Sequence, residues 1–139
     1  MTANANANPR DAAAVRQAWR AVSVAQSSLS LWLRSLPPDG FDAGDDVSVH
    51  QVTLRAIGEL LEVALGQSHV AFGQGLELLY ANGFVSMAES ALWNFMNGSD
   101  NNPPSCEDLC ANITQALAYL ADLSSSPAGI GARTNGRAA

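Results

Sequence analysis

Cys106 and Cys110 stand four residues apart, a spacing that puts two thiols on one face of a helix. A redox pair or half of a metal site is the chemistry this spacing permits. A structural zinc site needs four ligands, and the two histidines, His50 and His69, lie far upstream. The favoured reading is therefore two small buried thiols that behave as apolar residues. Arg55, Glu59 and Glu62 also share a helix face. Such a group could be an acid/base pair or a pH sensor; the plainer alternative is a solvated stripe with one weak ion pair. The sequence has no Gly-rich phosphate loop of the right spacing, no nucleophile elbow and no metal-binding His pair. The expectation is a protein that is not an enzyme, with no catalytic residue, no cofactor and no metal. Asn97-Gly98-Ser99 and Asn112-Ile113-Thr114 match the glycosylation pattern; without a secretory signal they read as chance.

The stretch Val52 to Tyr80 reads as one long helix. At 100° per residue, Arg55, Glu59, Glu62, Gly66, Gly73 and Glu77 fall in one narrow stripe. The rest of the cylinder is mainly apolar, over an arc of roughly 220° where a surface helix shows little more than 100°. Such a helix is buried on two sides, by its own chain or by other copies. Ser48 and Gln51 have capping-box spacing. Gly58, Gly66, Gly73 and Gly75 each cost about 1 kcal/mol relative to Ala in a helix interior, which favours close helix–helix packing. The alternative is a break near Gly73-Gln74-Gly75 into two shorter helices.

Around this element the pattern predicts further helices. Asp11 to Leu36 carries Val15, Trp19, Val22, Leu29, Trp32, Leu33 and Leu36 near helical spacing, and Pro37-Pro38-Asp39-Gly40 stops it. Asn82-Gly83 is expected to be a break or a C-cap. A third helix is expected over Phe84–Met96, with Phe84, Met87, Ala88, Ala91, Leu92 and Phe95 on one face. Asn97 to Pro104 is a loop. Ser105 with Asp108 forms a second capping-box pattern opening a last helix through Leu109, Ile113, Leu117 and Leu120. Trp19 and Trp32 suit core or interface anchors, and Trp93 an exposed contact. The expected fold is all-α, a small bundle of about four helices. Residues 1–10 read as a disordered N-terminus, 11–123 as one helical domain, and 124–139 as a flexible Ser/Gly/Ala-rich tail.

Composition narrows the function classes. The chain has 139 residues, 47% of them hydrophobic, enough for one self-sufficient core. All seven basic residues are Arg, and twelve of the thirteen acids lie between Leu36 and Ala132, where only Arg55 opposes them. That acidic middle argues against nucleic-acid binding, which needs a basic footprint. No apolar run is long enough to span a membrane, and the Ala/Asn-rich start lacks the parts of a secretory signal. A cytoplasmic location is expected.

The segment Val49 to Asn82 resembles the R-body subunit, or killing-trait, family. The residues that carry the likeness are Val49, Gln51, Arg55, Ile57-Gly58-Glu59, Ala64-Leu65-Gly66-Gln67, and then Leu76, Leu78 and Asn82. The chain departs from the family pattern at Leu60-Leu61-Glu62 and at Ser68-His69-Val70, and the likeness covers about a quarter of its length. The resemblance implies a bacterial structural subunit that polymerises into a coiled ribbon. Such ribbons extend, often on acidification, and can rupture a membrane from within. Partners would then be copies of the chain or paralogous subunits, with a membrane as an indirect target and no nucleic acid or small-molecule substrate.

On this reading Val52, Ile57, Gly58, Leu61, Gly66 and Gly73 are the expected assembly interface. Glu59, Glu62, His69 and Glu77 are the candidate pH sensors: acids gathered by assembly repel one another, and protonation relieves that repulsion. The alternative is a small helical module that binds a protein, or coats a hydrophobic granule.

Overall fold

In the computed structural model, which describes residues 9–67, 71–72 and 75–125, the described chain is helical with no strand. Helix α1 spans Pro9–Arg34, α2 Ser48–Gly66, α3 Leu76–Met96 and α4 Cys106–Ser125. Each packs against the next, and α4 returns to α1, which closes a four-membered ring. Neighbours run antiparallel. Trp32, late in α1, meets His50, early in α2, while Trp19 meets Phe72, beyond the far end of α2. Tyr119, late in α4, lies against Tyr80 and Phe84 in the first half of α3. Connections of nine to thirteen residues joining adjacent helices suit this up-and-down order.

The core is the inner stripe of every helix. From α1 come Ala18, Val22, Ala25, Leu29 and Trp32; from α2, Leu54, Ile57, Leu61 and Ala64. Helix α3 gives Leu78, Ala81, Val85, Ala88 and Leu92, and α4 gives Leu109, Ile113, Ala116, Leu120 and Leu123. The alanines in these stripes let the helices approach. Val15, Trp19, Leu33 and Leu36, expected on the inner face of α1, are partly buried against this cluster.

The helix ends follow local chemistry. Ser35 and Leu36 turn the chain out of α1 by bonding back to the carbonyls of Trp32 and Leu33. Gly40, at a φ of +83°, then closes a turn onto the Pro37 carbonyl, a left-handed conformation that favours glycine. The expected Ser48–Gln51 capping box does not form. Val47 is the N-cap, Gln51 points into the core at 3% exposure, and the Ser48 amide instead donates to Asp46 Oδ1 at 2.9 Å. The Ser105–Asp108 pattern is realised in one direction, the Asp108 amide donating to Ser105 Oγ at 3.3 Å. Helix α3 ends in a Schellman motif: the amides of Gly98 and Ser99 reach the carbonyls of Phe95 and Asn94, with Gly98 at a φ of +75°.

Two expectations about the middle of the chain are corrected. Val52 to Tyr80 is not one helix: α2 stops at Gly66 and α3 begins at Leu76, after Gly75 in the left-handed region at a φ of +65°. Folding back there packs α2 against α3, and such packing of apolar faces supplies most of a helix's stability in a protein. Asn82-Gly83 does not break α3, which runs through it to Met96. At the termini, α1 already includes Pro9 and Arg10, and α4 continues through Ser124 and Ser125; residues 1–8 and 126–139 lie outside the described residues.

Candidate assembly surface

Helix α2 sorts its residues into three stripes. The inner one is the core face. A second, exposed, carries Arg55, Glu59, Glu62 and Gly66, as the wheel predicts. Arg55 Nε stands 3.9 Å from Glu59 Oε1, with both side chains about two-thirds exposed. A pair this open contributes at most a few tenths of a kcal/mol. The third stripe is apolar and faces outward: Val49, Val52 and Val63 are exposed, with Leu60 half-buried between them.

The expected interface residues therefore divide. Val52 is exposed at 59%, whereas Ile57 and Leu61 are in the core of their own bundle. Those two cannot meet another copy in this fold, because α1 and α3 already cover them. Gly58 is half-buried, and a β-carbon there would stand 3.8 Å from Asn82 Oδ1 and 4.0 Å from Val85 Cγ1, ordinary contact distances. The glycine is thus not required by a backbone approach. Gly66 is exposed, with open space around it. Gly73 lies outside the described residues.

The candidate pH sensors divide as well. Glu59 and Glu62 line a groove of about 220 Å³ between α2 and α3, together with Arg55, Asn82, Ser86 and Glu89. The groove brings Glu89 to the same wall from a different helix, which the wheel of α2 alone does not show. Glu77 does not continue the stripe of Glu59 and Glu62, because it sits in the first turn of α3. His69 lies outside the described residues. Among the titratable groups that the fold does perturb is His50. It packs edge-on against Trp32 and Phe41, with ring centroids 5.8 and 5.3 Å away, and burial holds its pKa below the ordinary value of 6.5. Trp32 and Phe41 are too far from His50 along the chain for any local pattern to reveal this.

The cysteines are free, and they are not a buried pair. Cys106 is half-buried and Cys110 exposed, on the first turns of α4. Burial raises the Cys106 thiol, partly offset by a hydrogen bond with the Phe41 backbone. A raised thiol is a poorer nucleophile at neutral pH. Among the described residues no cluster of three His, Cys, Asp or Glu could hold a metal ion, and no helix is long and apolar enough to cross a membrane.

Helix α3 carries apolar residues on its outer as well as its inner side, with Asn82, Ser86 and Glu89 on the wall it shares with α2. Its outer face, opposite the core, exposes Leu76, Leu79, Tyr80 and Met87. Helical spacing groups Met87 with Ala88 and Leu92 on the inner face; the structure points it outward at 57% exposure. Trp93 is exposed, as anticipated, and Val24 and Leu31 add a smaller outward pair on α1.

Fold and surface together define the class: an all-α four-helix bundle whose second and third helices carry apolar residues on their outer as well as their inner sides. Comparison with protein-family models, curated proteins and solved structures gives no match.

Proposed function

We propose that the chain is a structural subunit that assembles with copies of itself or with paralogous subunits, in the manner of the R-body proteins it resembles, and performs no covalent chemistry. The observation that carries this reading is the pair of outward apolar faces, Val49/Val52/Val63 on α2 and Leu76/Leu79/Tyr80/Met87 on α3. Apolar side chains on the outer as well as the inner side of a helix call for burial on both sides, and contiguous exposed apolar patches mark interaction sites. Two separate faces on one subunit favour a polymer, because a subunit that holds one neighbour on each face extends a chain of copies. Low surface charge favours dense packing: only 14% of residues are charged.

Acidification is the trigger the resemblance implies. The groove acids Glu59, Glu62 and Glu89 support it if assembly brings them near their copies, since protonation then removes repulsion.

Sedimentation and negative-stain electron microscopy of the purified chain, from mildly acidic to mildly alkaline pH, test the proposal. Large assemblies, extended or coiled, are expected. A discrete monomer or dimer at every pH overturns the polymer and leaves the small binding module as the better reading.

A further inference from the structure

Among the described residues, α3 exposes more large apolar side chains than any other helix. Leu76, Leu79, Tyr80 and Met87 lie along one stripe, with Gly83 at its centre and Ser90 and Asn94 continuing it. The stripe carries no charge. The two acids of this helix, Glu77 and Glu89, lie more than about 90° away from its centre. Phe84 and Tyr119, stacked 6.0 Å apart, form one flank. A β-carbon on Gly83 would meet nothing within 4 Å, so the bundle itself has no use for the missing side chain.

We propose that this face is a self-interface: α3 of one copy packs antiparallel against α3 of a second, about a two-fold axis through Gly83. The inference rests on the self-assembly reading and names its tighter contact. Charge, shape and size together select a second copy as occupant. In charge, a chain of net charge −6 repels itself least where the surface is uncharged, and the apolar stripe of α2 borders Glu59 and Glu62 whereas this one borders none so closely. In shape, a two-fold contact repeats one patch against itself, and this axis sets Leu79 against the second copy's Met87, with glycine facing glycine where the helices come closest. In size, the four large side chains leave on the order of 400 Å² of apolar surface open. With Ser86, Ser90 and Asn94 as a polar rim, that approaches the roughly 800 Å² per partner of a stable interface.

The register makes the test specific. Leu79→Lys and Met87→Glu each place a charge against an apolar residue of the other copy. Each variant alone is expected to raise the dissociation constant of the α3 contact at least tenfold by analytical ultracentrifugation. Mixed in equal amounts, the two are expected to associate again, because the introduced lysine then faces the introduced glutamate across the axis while the second, native Leu79–Met87 contact stays apolar. Both positions are more than half exposed, and unchanged circular dichroism establishes that each variant folds. Variants that assemble as the parent does leave the face to another occupant, such as residues 126–139 or a foreign helix, and overturn the proposal. Weakened single variants that fail to recover on mixing overturn the two-fold register. A parent chain that is monomeric throughout overturns the self-assembly reading itself, a result distinct from either.

Discussion

Asn82 on α3 reaches across to Gly58 on α2, its Oδ1 3.8 Å from the position of a β-carbon on residue 58. The two residues lie 24 positions apart in sequence and meet because the chain doubles back between Gly66 and Leu76. The gap between them is wide enough for a methyl group. Gly58→Ala is therefore expected to stabilise the bundle by about 0.5–1 kcal/mol, from helix propensity and a less flexible unfolded chain. A thermal melt reads this as a rise of a few degrees; a fall would mean that α2 and α3 approach more closely than the structure has it.

Leu61 and Val52 make a matched pair for deciding what α2 buries and where. Leu61 is fully buried and Val52 is 59% exposed. Leu61→Ala is expected to cost about 2–5 kcal/mol of folding stability. Val52→Ala is expected to change it by less than about 0.5 kcal/mol. Urea unfolding of the dissociated chain measures both. Equal effects would return Leu61 to the intermolecular role that its position on the helical wheel suggests.

His50 makes the stability of the bundle depend on pH. Its folded pKa is lowered by burial between Trp32 and Phe41, so the unfolded chain binds the proton more tightly. Stability is then complete above the unfolded value of about 6.5 and declines as pH falls below it. The urea midpoint of the parent should drop on acidification through and below that value. His50→Gln should flatten the slope in the same window, and a slope that persists unchanged would assign the effect to other groups.

Glu59 and Glu62 share their groove with Glu89. If protonation of this wall drives a pH-dependent assembly, the double variant Glu59→Gln, Glu62→Gln should move the transition midpoint toward neutral pH, followed by light scattering. An unmoved midpoint rules the two residues out as sensors. The same substitutions should alter folding stability little, because the Arg55–Glu59 pair is weak and exposed.

Much of the architecture is legible in the sequence because it depends on neighbours along the chain. Helical spacing in α1 and α4, the stop at Pro37-Pro38, the loop after Met96 and the Ser105 cap each follow from residues a few positions apart. The polar stripe of Arg55, Glu59 and Glu62 is likewise a local property of α2. Tertiary structure decided what periodicity leaves open. An apolar arc as wide as that of α2 offers two faces to bury, and only contact with α1 and α3 selects Leu54, Ile57 and Leu61 over Val49, Val52 and Val63. Glycine weakens a helix locally, yet Gly83 sits within α3, where burial of Ala81, Val85 and Ala88 outweighs its cost, while the chain turns back before Gly75. The aromatic contacts of His50 and the convergence of Glu89 on Glu59 and Glu62 join separate elements. Such contacts exist only once packing has set the helices side by side.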